Sequence, residues 1–291
     1  MSAVQQGHSA LKCPTNRIDQ RFAALAEQGR SALVPYVTAG HPHPDHSVAI
    51  MHAAVAAGAD LLELGMPFSD VMADGPVIQN ACARALQHGT TLHDVLAMVA
   101  KFRETDNDTP VILMGYTNPI ERMGMAEFAK SAAESGVDAA LVVDCPADEA
   151  AELQAAMAAH QMHQIFLVAP TTTASRLDRA ARLAGGFIYY VSLTGVTGAA
   201  TLDVSALAPK LADLRRAIDL PVAVGFGIRE PAQAAAVAAV AEAVVIGSAL
   251  VERLDACQDC DQSVAVVQDF LGAVRAAMDA VSSETPASAM S

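Results

Sequence analysis

The sequence predicts a single (β/α)8 barrel of the TIM type with an extra helix at its N-terminus. Eight short apolar segments alternate with helical segments along the 291 residues, a pattern typical of a parallel sheet covered by helices. The first strand is not followed by a Gly-x-Gly-x-x-Gly motif, which would favour a doubly wound open sheet. No linker divides the chain. We expect the barrel over 16–281, with flexible segments at 1–15 and 282–291.

The eight predicted strands share short length and mostly apolar composition, so both of their faces are expected to be buried. They cover residues 31–38, 61–64, 111–114, 139–143, 165–168, 187–191, 222–224 and 243–246. Similar turns precede three of them, with an acid just before the strand, at Asp60, Asp138 and Glu242. Glycine supplies the left-handed helix stop in the first two of these turns.

The predicted helices are rich in alanine, which suits close packing around a barrel. The extra helix begins at Asn16 and ends before Gly29. The other helices cover residues 45–57, 77–87, 92–103, 125–135, 148–160, 174–183, 204–217, 231–240 and 263–280. A further helix is expected to open at Gly247-Ser248.

Composition excludes several classes of protein. A net charge of −14 speaks against nucleic-acid binding, although a local site for a small anion remains compatible with it. Five scattered cysteines do not form a disulfide framework and favour a reducing, cytoplasmic setting. The sequence has neither a membrane-spanning run nor the features of a signal peptide.

Two carboxylates stand out near the second strand. Glu63 lies inside the apolar run that forms this strand, and Asp74 lies on the loop that leaves it. A buried carboxylate is costly unless it is paired or functional, so Glu63 is either a structural acid or a catalytic one. Asp74 alone would be interpreted as a cap for the helix near Pro76. Together with a phosphate site, the two acids favour acid–base chemistry.

Three glycine-rich loops follow the last three predicted strands, at 192–198, 225–228 and 247–248. The C-terminal ends of barrel strands carry the functional loops, and glycine lets backbone N–H groups approach an anion. These loops therefore predict a phosphate site. Ordinary tight turns are the alternative.

Histidine and cysteine clusters elsewhere predict no site. The histidines at 41, 43 and 46 lack a partner set, so a surface loop is favoured over a metal centre. Cys257 and Cys260 have redox or metal spacing, but no second pair accompanies them, and two free thiols in a loop are expected. Cys82 and Cys145 are expected to fill apolar space.

The predicted strands carry no lysine that could form a Schiff base, which argues against a class I aldolase.

The segments Glu-Leu-Gly-Met-Pro-Phe-Ser-Asp at 63–70 and Ala-Asp-Gly-Pro-Val-Ile-Gln at 73–79 carry a specific resemblance. They resemble the tryptophan synthase alpha subunit family. The similarity extends over about 16–280 and includes further matching segments at 34–38, 114–118, 194–198, 225–227 and 246–248.

The resemblance implies a lyase that cleaves indole-3-glycerol phosphate into indole and glyceraldehyde 3-phosphate. Glu63 would be the acid–base group, and Asp74 would stabilise positive charge at the indole nitrogen. The family's indole-pocket positions match Tyr36, Met114, Leu141, Leu167, Tyr189 and Thr197, with Thr197 also helping to position Asp74. Its phosphate-binding positions match Gly198, Gly227, Gly247 and Ser248.

The resemblance also implies a partner, a beta subunit that holds pyridoxal phosphate in an αββα heterotetramer and receives the indole. This chain itself would bind no cofactor and no metal. Coupling to the partner would involve the loops 67–74 and 192–201. The candidate contact residues are Pro67, Asp70, Asn118 and Pro146.

Two departures from the family pattern affect these loops. Val71 replaces a frequent proline, so a less stiff loop is expected between the acids, and Leu193 replaces an arginine of some members. Three alternatives stay open from the sequence. They are a stand-alone lyase that releases indole, a non-catalytic activator of the beta subunit, and another phosphate-binding barrel such as an isomerase.

Overall fold

The computed structural model describes residues 16–191, 204–225 and 227–284. Within them, eight parallel strands form a closed barrel in which each strand pairs with its neighbours in chain order and β8 pairs with β1. The strands are β1 (Ala32–Thr38), β2 (Leu62–Gly65), β3 (Val111–Gly115), β4 (Ala139–Val142), β5 (His163–Val168), β6 (Ile188–Val191), β7 (Val222–Gly225) and β8 (Ala243–Ile246). The predicted fold class is confirmed.

Helices surround this barrel. They are α1 (Arg17–Glu27), α2 (Ser47–Ala56), α3 (Pro76–Gln87), α4 (Leu92–Arg103), α5 (Thr117–Met123), α6 (Met125–Ser135), α7 (Ala151–Ala158), α8 (Ala174–Leu183), α9 (Val204–Ala217), α10 (Pro231–Ala238), α11 (Ser248–Asp255) and α12 (Cys260–Glu284). The sequence did not predict α5. Of the predicted flexible tail at 282–291, residues 282–284 are helical, and the other residues of that tail, like residues 1–15, lie outside the description.

Helix α1 covers one end of the barrel. Asn16 caps it with a capping box, because its side chain accepts a hydrogen bond from the Ile18 N–H and Asp19 bonds back to the Asn16 N–H. Ile18 and Phe22 pack among the inward-facing strand residues, and the Phe22 ring lies 5.7 Å from that of Phe187. The N-terminal end of the barrel is thus filled with apolar side chains, so a ligand site is confined to the opposite end.

The three acids that precede β2, β4 and β8 share one structural role. Each carboxylate accepts a hydrogen bond from a backbone N–H near the start of the preceding strand, at 2.9 or 3.0 Å: Leu33 to Asp60, Val111 to Asp138 and Val222 to Glu242. Each also pairs with an arginine from the helical layer: Arg275 with Asp60, Arg103 with Asp138 and Arg215 with Glu242. These repeated clamps tie strands to helices at the N-terminal rim, away from the candidate site.

None of the helices within the described residues is long and apolar enough to cross a membrane.

Candidate active site

Glu63 points into the barrel near its C-terminal end. It lies opposite Tyr36 on β1 and Ile112 on β3, and its side chain is 1% exposed. Leu61 and Ile112 belong to the apolar cluster that fills the interior, and side chains two residues apart on a strand share a face. The Glu63 side chain therefore lies in the barrel interior and not in the helical layer.

Burial makes Glu63 a weak acid. Desolvation, and secondly the nearby Asp74 carboxylate, raise the pKa of Glu63 from 4.5 to about 8. Its Oε1 atom is buried and has no hydrogen-bond partner among the described residues. At neutral pH this carboxyl group is therefore mostly protonated and able to donate a proton.

Asp74 is held on the loop between β2 and α3 by a tyrosine. The Tyr116 hydroxyl donates a hydrogen bond of 2.7 Å to Asp74 Oδ2 and accepts one of 3.1 Å from the Ala73 N–H. Burial raises the pKa of Asp74, and the Tyr116 hydrogen bond partly opposes this effect. The interpretation of Asp74 as a helix cap is wrong, because Gly75 occupies the N-cap of α3 and no side-chain cap bond is present.

Tyr116 is absent from the site residues that the sequence indicated. It follows β3, the strand next to β2, so its hydroxyl reaches the loop that leaves β2. The Tyr116 ring also packs 5.7 Å from that of Phe68. The order of neighbouring strands was the signal that could have indicated this contact.

Val71 lies under the loop that carries Asp74. It is 8% exposed and belongs to a small apolar cluster at the mouth of the barrel that includes Tyr36, Tyr116 and Cys82. The valine that replaces the family's frequent proline thus attaches the loop by side-chain packing. The expected difference in loop stiffness stays a prediction.

The barrel interior next to Glu63 is apolar and aromatic. Five of the six predicted indole-pocket residues lie on inward-facing strand positions in or against the apolar clusters at this end: Tyr36, Met114, Leu141, Leu167 and Tyr189. The sixth, Thr197, lies outside the described residues. Burial raises the pKa of both tyrosines well above the ordinary value, and Glu63 and Asp74 contribute in the same direction.

Glycines follow β7 and β8 on the same side of the barrel. Gly227 is exposed and has a φ of +73°, a conformation that glycine adopts without strain. Gly247 occupies the N-cap of α11, and Ser248 is its first residue, so the free N–H groups of this helix end lie next to the C-terminal end of β8. Gly198 lies outside the described residues.

The predicted partner-contact residues border the same end. Asp70, Asn118 and Pro146 are exposed, whereas Pro67 is buried. The loops after β3 and β4 are joined, since the Thr117 N–H and hydroxyl both donate to Asp144 Oδ1, at 2.7 and 2.8 Å.

Within the histidine segment, His41 differs from its prediction as part of a surface loop, whereas His43 and Asp45 have exposed side chains. His41 is 1% exposed, and its Nε2 lies 3.1 Å from Asp255 Oδ1 at the end of α11. Asp255 also accepts a hydrogen bond from Arg84 of α3, so this contact joins two helices. The described residues contain no group of three side chains able to hold a metal ion.

The cysteines among the described residues are all free thiols, as expected. Cys82, Cys145 and Cys257 are buried, and Cys260 is half-buried at the start of α12.

Relatives of known type share the whole barrel. The family model described as tryptophan synthase alpha chain matches residues 22–279. A protein named tryptophan synthase alpha chain from Alkalilimnicola ehrlichii is 54% identical over 270 residues, 92% of this chain and 98% of that protein. One of the same name from Thioalkalivibrio sulfidiphilus is 56% identical over 265 residues, 91% of this chain and all of its own length.

Solved structures agree with these relatives. The crystal structure of tryptophan synthase subunit alpha from Legionella pneumophila superimposes with a TM-score of 0.85 at 42% identity, covering 92% of this chain and 100% of that one. A chain of Mycobacterium tuberculosis tryptophan synthase gives a TM-score of 0.82 at 35% identity, covering 91% of this chain and 99% of that chain. With its fold and the motifs around Glu63 and Asp74, the chain belongs to the tryptophan synthase alpha chain family.

Proposed function

We propose that Glu63 and Asp74 carry the lyase reaction of this family, the cleavage of indole-3-glycerol phosphate to indole and glyceraldehyde 3-phosphate. Relatives at about 55% identity over most of the chain support this activity, and they do not favour the stand-alone lyase or the non-catalytic activator. One observation carries the assignment of the residues. A buried, mostly protonated Glu63 faces the barrel interior, and a second carboxylate approaches the same space from the adjoining loop.

Glu63 supplies both proton transfers. It donates its proton to C3 of the indole ring, which becomes tetrahedral, and positive charge moves to the ring nitrogen. The resulting carboxylate takes the proton from the hydroxyl on the side-chain carbon attached to C3. The bond between that carbon and C3 then breaks, an aldehyde forms, and the bonding electrons return to the ring. Glu63 is protonated again at the end, so one residue serves as acid and then as base.

Asp74 acts on the charge that develops during this step. A carboxylate near the ring nitrogen stabilises the transition state more than the neutral substrate, which is the condition for faster chemistry. The Tyr116 hydroxyl keeps Asp74 Oδ2 in place before substrate arrives. Thr197 belongs to the same proposal as a second group that positions Asp74.

The other end of the substrate is a phosphate. We assign it to backbone N–H groups of the loops after β6, β7 and β8, at Gly198, Gly227, Gly247 and Ser248. The start of α11 supports this assignment, because a helix N-terminus favours an anion. The indole ring packs against the inward-facing side chains described above.

The partner in this proposal is a beta subunit that holds pyridoxal phosphate, in an αββα heterotetramer in the cytoplasm. This chain supplies no cofactor-dependent chemistry. Its contact surface includes Asp70, Asn118 and Pro146, with Pro67 fixing the loop from within. Met72 supports this placement, because its side chain is 82% exposed on the loop that carries Asp74. Partner binding at this loop would then influence the position of Asp74.

The experiment compares purified wild type with Glu63→Gln, Asp74→Asn and Glu152→Gln. Cleavage of indole-3-glycerol phosphate is followed by the aldehyde product, with and without a beta subunit. We expect both site variants to lose activity by at least about a thousandfold while keeping their circular dichroism and partner binding, and the exposed Glu152 variant to match wild type. Near-normal cleavage by Glu63→Gln would contradict the assignment.

A further inference from the structure

Tyr36 on β1 lies over a glycine of the neighbouring strand. Its ring points inward, and its hydroxyl lies directly over the backbone of Gly65 on β2, where a β-carbon would come within 2.1 Å of the tyrosine oxygen. On the other side, a β-carbon on Gly247 would lie 3.5 Å from Tyr36 Cβ. The ring is thus enclosed between two glycines, one on β2, the strand that carries Glu63, and one at the N-cap of α11.

A hydrogen bond fixes the Tyr36 hydroxyl. It lies 3.1 Å from Thr38 Oγ1, and both groups are buried. Cys82 of α3 lies beside them, since its thiol interacts with Thr38 and affects the pKa of Tyr36. Without the phenol oxygen, a space the size of about one heavy atom would open over Gly65, two residues beyond Glu63.

We propose that the Tyr36 hydroxyl, held over Gly65 by Thr38, determines specificity by closing the indole pocket on the side of the Glu63 strand. The hydroxyl occupies the volume that a small substituent on one edge of the indole ring would need. The pocket accordingly accepts unsubstituted indole and rejects rings that carry a methyl group at the edge facing Tyr36. This inference rests on the proposed function of the site.

The test uses Tyr36→Phe in the reverse reaction, the condensation of indole with glyceraldehyde 3-phosphate. The substrates are indole and its 4-, 5-, 6- and 7-methyl derivatives, and kcat/KM for each is divided by the value for indole. We expect this ratio to rise about tenfold for one or two adjacent methyl positions, the usual effect of fitting one methyl group. Unchanged ratios at all four positions, or an equal rise at all four, would overturn the proposal.

Tyr190→Phe is the matched control. Tyr190 directly follows Tyr189 on β6, but its side chain packs in the helical layer, and its hydroxyl has no hydrogen-bond partner among the described residues. The same chemical change there should leave all four ratios at the wild-type value. If wild type fails to convert indole itself, the proposed function fails, whereas an active wild type with unchanged Tyr36→Phe ratios rejects only the specificity assignment.

A second pair of variants tests the contact over Gly65 directly. Gly65→Ala places a β-carbon against the Tyr36 hydroxyl and ring, and we expect kcat/KM for indole to fall at least tenfold. Tyr36→Leu removes the colliding atoms, so the double variant should recover part of this loss relative to Gly65→Ala alone. If the loss of kcat/KM in the double variant equals the combined losses of the two single variants, the contact does not shape the pocket.

Discussion

Replacement of Glu63 by glutamine should increase the free energy of unfolding relative to wild type, and this difference should grow as the pH rises. Below pH 4.5 the carboxyl group is protonated in both the folded and the unfolded chain. Between pH 4.5 and about 8 the unfolded chain releases the proton while the folded chain keeps it, so wild-type stability falls as the pH rises. Each pH unit in this window costs about 1.4 kcal/mol, which amounts to about 3 kcal/mol at pH 7.

Glutamine has nearly the same shape and does not titrate. Its own burial cost is independent of pH, so the slope against pH, rather than the stability difference at any one pH, reports Glu63. Urea unfolding of wild type and Glu63→Gln at pH 5, 6, 7 and 8 measures this slope. Glu152→Gln, at an exposed position on α7, controls for the loss of a charge. A difference between wild type and Glu63→Gln that stays constant from pH 5 to pH 8 would refute the description of Glu63 as a buried, protonated acid.

Three further predictions concern the same site and its support. Cleavage by wild type should lose kcat/KM as the pH rises through about 8, because only the protonated Glu63 can donate to C3; a rate that keeps rising to pH 9 would contradict this order of proton transfers. Tyr116→Phe removes the hydrogen bond to Asp74 and should lower kcat about tenfold to a hundredfold with little change in thermal stability, whereas unchanged kcat would show that Asp74 needs no such support. Asp138→Ala removes the buried carboxylate that pairs with Arg103 and accepts the Val111 N–H, and it should lower the free energy of unfolding by about 3–5 kcal/mol, measured in urea; a loss below 1 kcal/mol would rule out the clamp.

The strand order and the singular position of Glu63 were predictable from the sequence because they depend on local patterns, whereas the role proposed for Asp74 came from the resemblance to the family. Short apolar runs define the strands, and an acid within such a run is conspicuous. The direction of Glu63 was not predictable. A strand buried on both faces shows no alternation between polar and apolar residues, so only the register with β1 and β3 places Glu63 in the interior.

Contacts between distant segments account for what the sequence did not show. His41 lies in a polar turn that looks exposed, but its partner Asp255 is 214 residues away. The bond between Tyr116 and Asp74 spans 42 residues and depends on the adjacency of β2 and β3. Helix α5 was missed because Thr117-Asn-Pro119 resembles a turn, yet proline is tolerated in the first turn of a helix.

In the proposed reaction, Glu63 moves a proton at C3 of the indole ring. Exchange of the C3 hydrogen of indole with deuterium oxide, followed by proton NMR in the presence of inorganic phosphate, measures this transfer without bond cleavage. We predict that wild type accelerates the exchange, that Glu63→Gln does so no more than buffer, and that Glu152→Gln equals wild type. Exchange at the wild-type rate by Glu63→Gln would contradict the account.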